Sequence, residues 1–253
     1  MDNNTPNKKI DFASDVHLGH PNIEQARWRE HLFVKWLDEI KDDAAEIYLV
    51  GDIFDFWYEY KKVVPRGFVR TLGKIAEITD SGIPVHFFTG NHDVWVFDYL
   101  PAETGVILHR EPIEKEFYGK SFYIAHGDGL GPGDKGYKLL KIAFTSKFLQ
   151  WIFSRLHPNF AFWLAHSWSN SSRRTKGIEA EGFHGEQKEF LYLYAKQLME
   201  TKPYNFFIFG HRHLMVDMPL NNSSRFINLG DWLYNFSYGV FDGDTFKLLK
   251  YKK

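Results

Sequence analysis

Five apolar, strand-like stretches of this chain run directly into a short loop that carries Asp, Asn or His. Loops at one edge of a sheet are where side chains from distant parts of a chain meet. We therefore expect these five strand ends to converge. The stretches are IDFASDVH, IYLVGDIFD, VHFFTGNHD, FYIAHGD and FFIFGHRH, and the candidate metal ligands in them are Asp15, His17, Asp52, Asn91, His126, His211 and His213. Carboxylate, amide and imidazole donors in this arrangement predict a two-metal hydrolytic site.

Two of the strand ends carry donors at alternate positions. In an extended backbone alternate residues point the same way, so Asp15 and His17 could bind one ion together. His211 and His213 repeat that spacing. Each pair by itself is a weak signal.

The other donors are expected to bind a second ion. Asp52 follows Gly51, whose missing side chain would let the backbone approach a metal, and a carboxylate there can bridge two ions about 3.5–4 Å apart. Asn91 offers a neutral oxygen, and His126 is expected to complete the shell of the second ion. A single Asp after a strand is more often a helix cap or turn residue, and a single strand His is more often structural. Those roles do not explain donor residues at five equivalent positions.

His92 is the candidate for proton transfer. It follows Asn91, and an imidazole with an ordinary pKa of about 6.5 can protonate a leaving oxygen near neutral pH. Asp55 could hold its ring and raise its basicity, and the alternative is that Asp55 caps a helix. Asp93 is interpreted as a structural cap for the loop.

Composition limits the chemistry and the location. The 253 residues include no Cys, so a metal here has only nitrogen and oxygen ligands. This favours Mn, with Mg, Fe or Zn as alternatives. The polar start lacks the apolar core of a signal peptide, and no run of about 18 apolar residues occurs. We therefore expect one cytoplasmic domain that does not span a membrane.

Hydrophobic periodicity predicts α/β architecture with two mixed sheets packed face to face and helices outside. The first part reads β-α-β-α-β, followed by a short helix near 94–100 and then hairpins. Predicted strands lie at 10–14, 46–50, 84–89, 106–109, 113–117, 121–126, 205–209, 215–218, 225–229, 237–241 and 245–251, with helices at 24–40 and 67–80.

Residues 137–168 predict a helical hairpin that breaks at His157-Pro158-Asn159. Its expected common face carries Leu140, Phe144, Phe148, Trp151, Ile152 and Arg155. From 135 to 178 the chain has eight Lys or Arg and no Asp or Glu. A hairpin inserted between two site-bearing strands can form a lid, and its aromatic and basic groups suit acyl chains and phosphates. The alternative is that the aromatic residues only pack the hairpin onto the core.

The ordered set Asp-x-His, Gly-Asp-x-x-Asp, Gly-Asn-His-Asp, His and Gly-His-x-His resembles the calcineurin-like metallophosphoesterase superfamily over residues 10 to about 240. The resemblance implies a four-layer α/β/β/α sandwich and two divalent metal ions. One ion would be bound by Asp15, His17, Asp52 and His213, and the other by Asp52, Asn91, His126 and His211. Water would then attack phosphorus in line while His92 assists the leaving group.

The motifs GDIFDFW and IAHGD, the inserted helices and Asn170-Ser171-Ser172-Arg173 further resemble the UDP-2,3-diacylglucosamine pyrophosphatases of lipid A synthesis. That resemblance implies a lipid-linked nucleotide substrate, peripheral contact with the cytoplasmic face of the inner membrane, and no nucleic-acid partner. It carries substrate contacts over to Asn91, Asp134, Ser171, Ser172, Arg173 and Lys176. His92 and Asp55 stand where well-studied members have Arg and Glu. Another lipid-linked or soluble phosphoester therefore stays open as the substrate, as does a non-catalytic scaffold.

Overall fold

The structure is a computed structural model that describes residues 8–131, 135–165, 167, 182–183 and 185–252. Its strands form two sheets. They are β1 Lys9–Ala13, β2 Ala44–Val50, β3 Val85–Phe88, β4 Ile107–His109, β5 Ile113–Phe117, β6 Lys120–Ala125, β7 Phe206–Phe209, β8 Met215–Pro219, β9 Arg225–Leu229, β10 Ser237–Phe241 and β11 Phe246–Lys250. The helices are α1 Ile23–Ile40, α2 Val69–Asp80, α3 Tyr99–Thr104, α4 Lys135–Thr145, α5 Lys147–Phe153, α6 over 158–165, and α7 Phe190–Met199.

Both sheets are mixed. The first has the order β11-β10-β1-β2-β3-β4, in which β1 to β4 are parallel, β10 runs antiparallel to β1, and β11 runs antiparallel to β10. The second has the order β5-β6-β7-β9-β8, with β6, β7 and β9 parallel and an antiparallel strand at each edge. The carboxyl ends of the parallel strands are the positions from which the predicted site residues extend.

Alternating side chains divide the core into layers. In β1, Phe12 packs between the two sheets, while Ala13 packs against the helices. In β2, Tyr48 likewise packs between the two sheets, and Leu49 packs against the helices. Helices α1 and α2 cover the outer face of the first sheet, and α7 covers the outer face of the second. The predicted α/β/β/α layering is confirmed.

The predicted strands and the two long N-terminal helices lie within two residues of their observed bounds, but the short helix was placed wrongly. It begins at Tyr99 rather than near residue 94. The cause is the buried carboxylate of Glu59, which accepts hydrogen bonds from the backbone N–H groups of Phe97, Asp98 and Tyr99 at 2.7, 2.8 and 3.0 Å. A charge supplied from a distant loop sets this helix start.

The inserted segment also differs from the prediction. Its helix does not continue to residue 157, because α4 ends at Thr145 and Ser146 caps a new helix, α5. The predicted common face is therefore split. Phe144 packs inward, whereas Phe148 is exposed.

A cluster of aromatic residues attaches the insert to the rest of the protein. Phe56, Tyr58 and Trp95 form its centre, which we call the Trp95 cluster, and Phe144, Phe153 and Phe162 pack on it. The Tyr58 hydroxyl donates to the carbonyl of Gln150 at 2.9 Å, and the Trp95 indole donates to the carbonyl of Phe144 at 2.8 Å. Other large apolar side chains of the insert face outward, namely Leu139, Ile142, Phe148, Leu149, Trp151, Ile152, Phe160, Trp163 and Leu164. Among the described residues, no helix has both the length and the apolar character needed to cross a bilayer.

Candidate metal centre

The five predicted strand ends meet in one place. Asp15 and His17 follow β1 and are fully buried, and His213 comes from the loop after β7. The Nε2 atoms of His17 and His213 lie 3.2 Å apart, and His213 Nε2 is 3.5 Å from Asp15 Oδ1. These three side chains present one group of donor atoms close enough to share an ion.

A second group lies beside the first. His126 Nε2 is 3.4 Å from Asp52 Oδ2, and His211 Nδ1 is 2.9 Å from Asn91 Oδ1. Asp52 Oδ2 is also 3.9 Å from His17 Nε2. Asp52 therefore stands between the two groups, in the position that a bridging carboxylate requires.

The backbone that presents these donors is not extended. Asp15, His17, Asp52, His211 and His213 all have positive φ, between 47° and 67°. The expectation that Asp15 and His17 project from an extended strand was wrong. The N–H groups of Asp15 and His17 donate to the carbonyls of Gly51 and Asp52, both at 3.0 Å. Left-handed conformations of non-glycine residues are costly and persist where surrounding contacts fix them, as they do here.

Two glycines provide space for donor side chains rather than for an ion. A Cβ on Gly51 would lie 2.4 Å from the ring Nδ1 of His126, and a Cβ on Gly90 would lie 2.2 Å from Asp52 Oδ1. The sequence interpretation, that Gly51 lets the backbone approach a metal, was therefore wrong about why a glycine is needed here. The glycine admits the imidazole that comes from another strand.

The electrostatics of the centre favour anionic carboxylates. Burial by itself would raise the pKa of Asp52, but the charges of His126, His92 and His17 hold it well below its usual range. The pKa of Asp15 is also lowered, because the nearby ring of His17 and the charge of His213 outweigh burial. Burial opposes the charge of His126, yet the neighbouring carboxylates of Asp52 and Asp15 raise its pKa to about 10. Asp15 Oδ1 and His126 Nε2 are buried without hydrogen-bond partners. Ionised carboxylate oxygens and imidazole nitrogens that lack hydrogen-bond partners in the protein are suitable ligands for divalent cations.

Asp55 contacts His92 differently from the expectation. The ring nitrogen Nδ1 of His92 lies 2.8 Å from the backbone carbonyl of Asp55, and 3.8 Å from its carboxylate oxygen Oδ1. That carboxylate lies nearer to His17, at 3.4 Å from Nδ1. The main chain of Asp55 thus orients His92, and its side chain faces His17.

Asp93 has the structural role expected of it. Its carboxylate accepts from the N–H groups of Ile53 and Gly90 at 2.9 and 2.7 Å, which joins the loops after β2 and β3.

The sequence interpretation missed a sixth strand end. Strand β9 runs into Gly230-Asp231 in the same way that β2 runs into Gly51-Asp52. Asp231 is buried, and its Oδ2 lies 3.6 Å from Nδ1 of His213. The repeated strand-Gly-Asp pattern was the signal that could have found it.

The predicted substrate contacts Asp134, Ser171, Ser172, Arg173 and Lys176 lie outside the described residues.

The family model of calcineurin-like phosphoesterases matches residues 8–215, which include every donor in this centre. The chain belongs to the calcineurin-like phosphoesterases. As a member of this family it is a metal-dependent phosphoesterase, and the family implies divalent ions, for which the His and Asp clusters of this centre are the candidate ligands.

Curated relatives of this phosphoesterase share one name. A UDP-2,3-diacylglucosamine hydrolase of Porphyromonas gingivalis is 40% identical over 95% of this chain and 96% of that protein. Proteins of the same name from Actinobacillus succinogenes and Histophilus somni are 27% and 28% identical, over 88% and 89% of this chain and 92% of each relative. Among solved structures, Yfce, a phosphoesterase from E. coli, aligns with a TM-score of 0.47 and 13% identity over 96% of this chain and 92% of that one.

Proposed function

We propose that this phosphoesterase hydrolyses the pyrophosphate of UDP-2,3-diacylglucosamine to UMP and 2,3-diacylglucosamine 1-phosphate, a reaction of lipid A synthesis. The observation that carries the proposal is the convergence of two buried donor groups around Asp52. The Porphyromonas gingivalis hydrolase supports the choice of substrate, since it matches this chain over nearly the full length of both proteins.

The two donor groups hold divalent ions in this proposal, with manganese as the first candidate. Asp15, His17, Asp52 and His213 bind one ion, and Asp52, Asn91, His126 and His211 bind the other. When bound, the ions neutralise the charge on the phosphate and lower the pKa of water. The residues themselves fix the geometry, because their loops are tied together by backbone hydrogen bonds.

His92 transfers the proton to the leaving oxygen. A carbonyl oxygen can only accept, so the contact of Nδ1 with the carbonyl of Asp55 places a proton on Nδ1. Nε2 is then the nitrogen that exchanges a proton with substrate. Asp55 acts through its main chain on His92 and through its carboxylate on His17.

The chain forms one metallophosphoesterase domain over residues 1–253, with a helical insertion at about 135–178 that serves as a lid over the lipid part of the substrate. The exposed Phe148 and Trp151 stack on each other, and the Arg155 guanidinium lies 4.9 Å from the centre of the Trp151 ring. An apolar surface with basic residues suits the anionic boundary of a bilayer. We place the protein in the cytoplasm, in peripheral contact with the inner membrane.

Substrate contacts in the proposal include Asn91 of the metal centre, together with Asp134, Ser171, Ser172, Arg173 and Lys176.

The experiment that tests this function is incubation of the full chain with UDP-2,3-diacylglucosamine and Mn²⁺, followed by measurement of UMP and the lipid phosphate. We expect both products in equal amounts and none after chelation of the metal. UDP-N-acetylglucosamine, which lacks the acyl chains, is the matched control and should react far more slowly. Turnover of that control at an equal rate would contradict the lipid assignment.

A different phosphoester is the competing function, because His92 and Asp55 stand where the resembled enzymes have Arg and Glu. Hydrolysis of a simple aryl phosphodiester without any release of UMP from the lipid substrate would favour it. Absence of both reactions in metal-loaded protein would favour a non-catalytic scaffold.

A further inference from the structure

The two donor groups differ in what lies behind their histidines. Behind the Asp15, His17 and His213 group stand two buried carboxylates. Asp55 Oδ1 lies 3.4 Å from Nδ1 of His17, and Asp231 Oδ2 lies 3.6 Å from Nδ1 of His213. The second separation is an electrostatic contact rather than a hydrogen bond, and Nδ1 of His213 is buried without another hydrogen-bond partner, so Asp231 is the group toward which its proton points. In both histidines the opposite nitrogen, Nε2, is the one that faces the centre.

Asp231 is itself rigidly held. Its Oδ1 accepts from the N–H groups of Tyr234 and Asn235 at 2.7 and 2.9 Å. The side-chain amide of Asn235 donates to the carbonyl of His213 at 3.1 Å. The loop after β9 therefore fixes the main chain of His213 and places a carboxylate behind its ring.

The same loop also holds Asp15. The N–H of Trp232 donates to the carbonyl of Asp15 at 3.1 Å. Two donors of one group, Asp15 and His213, thus depend on residues 231–235.

The second group is supported by neutral oxygens. Nδ1 of His126 lies 2.8 Å from the carbonyl of Val50, and Asn91 contributes an uncharged amide oxygen. The carboxylate of Asp128 is also near, but Lys141 pairs with it at 2.8 Å and offsets its charge. Less negative charge therefore supports this half of the centre.

We propose that the group of Asp15, His17 and His213 is the higher-affinity of the two cation sites, and that Asp231 is the positioning residue that makes it so. A carboxylate behind a ligating imidazole fixes its tautomer and raises its basicity, and loss of such a partner typically weakens metal binding about 10–100-fold. The inference depends on the metal centre of the proposed function, and it adds an order of filling. One ion binds first at this group, and the ion beside His126 exchanges more readily.

The test is a titration of metal-free full-length protein with Mn²⁺, in which free Mn²⁺ is measured by electron paramagnetic resonance. We expect two classes of site in the parent protein. His213→Gln should remove the tight class and His126→Gln the weak one. Asp231→Asn keeps the shape and the Oδ1 acceptor for the N–H of Tyr234, but it loses the charge and the Oδ2 acceptor for the side-chain amide of Asn235. It should therefore weaken the tight class about ten-fold or more and leave the weak class unchanged.

The matched control is Asp217→Asn, which removes one carboxylate from β8 where it pairs with Arg225, outside the centre. We expect it to leave both classes within about two-fold of the parent. Melting of the metal-free protein distinguishes a positioning role from a structural one. Asp231→Asn should melt close to the parent without metal and gain less stability when Mn²⁺ is added.

Three results would overturn the proposal: two equal sites in the parent, an unchanged tight class in Asp231→Asn, or equal weakening of both classes with a lower melting temperature of the metal-free variant. Failure of the parent to bind Mn²⁺ at all is a separate outcome. It would remove the metal centre and the proposed function together.

Discussion

The metal centre and the inserted helices place their proposed functional side chains in opposite environments. In the centre Asp15 and His17 are 0% exposed, whereas in the insert Phe148 and Trp151 are 67% and 55% exposed. The centre holds five of its seven donors in left-handed backbone conformations within loops joined by backbone hydrogen bonds, and the insert leaves its outer apolar groups exposed to solvent. A reacting group needs an exact position, whereas the contact with lipid that we propose for the insert needs only exposed apolar area.

The two regions are nevertheless connected. Trp95, at the centre of the aromatic cluster, lies four residues after Asn91, and the cluster binds α4 and α5 to that loop. A change in the inner face of the insert is therefore expected to reach the loop that carries Asn91 and His92. A change in the outer face is not.

The largest effect is expected for Asp52→Ala, which removes the carboxylate between the two donor groups. Turnover should fall by more than about 10³-fold, and the protein should bind less than two equivalents of metal, because both groups lose a shared oxygen. Metal content after gel filtration and the rate of product release would measure this. An active variant that retains two ions would show that Asp52 does not bridge.

His92→Ala should have the next largest effect. Loss of a general acid costs about 10²–10⁴-fold, and the loss should grow as the leaving group becomes more basic. Rates on a series of aryl phosphodiesters would establish the dependence on leaving-group pKa. An equal loss on every substrate would remove the acid role, and unchanged metal content serves as the control for the site.

Two pairs of aromatic substitutions test the outer and inner faces of the insert separately. Phe148→Ser with Trp151→Ser should leave the melting temperature within a few degrees of the parent, and should lower activity on the diacylated substrate and binding to anionic vesicles about ten-fold. Activity on a small aryl phosphodiester should change little, because neither side chain is among those that pack on the Trp95 cluster.

Phe144→Ser with Phe153→Ser is the matched pair on the inner face. We expect a loss of about 3 kcal/mol in the free energy of unfolding, since two partly buried aromatic rings that pack on the Trp95 cluster are removed. Activity should then fall on both substrates. Equal behaviour of the two pairs in unfolding experiments would contradict the division of the insert into a packed face and an exposed face.

A pH dependence separates a buried carboxylate outside the centre from one inside it. Burial, with added repulsion from Asp43, raises the pKa of Asp11 to about 7, whereas the histidines around Asp52 lower its pKa. The pKa of Asp11 in the unfolded chain is about 3.9, so its contribution to stability is complete below pH ~4 and is lost as the pH rises through 7. Asp11→Asn removes this loss. Relative to the parent, the variant should gain up to about 3 kcal/mol between pH 4 and pH 8 in urea unfolding. A difference in stability that stays constant with pH would contradict the raised pKa.

Much of the fold and of the candidate site was available from sequence because it depends on local pattern. Alternating apolar residues defined β1, β2 and β3, and strand ends followed by Asp, Asn or His marked the donors. The start of α3 was not available in this way, since Glu59 sets it from another loop. The break at Ser146 was missed because the apolar spacing continues through it.

The sequence by itself determined which residues come together at the candidate centre, since donor types after apolar strands can be recognised from local pattern. Only the tertiary structure decided how they are held. The space at Gly51 for the ring of His126, the left-handed backbone at Asp15 and His17, and the carboxylate of Asp231 behind His213 all arise from contacts between distant parts of the chain. The physical reason is that a strand specifies its own residues and their alternation, whereas the environment of each donor is built by the other strands that end beside it.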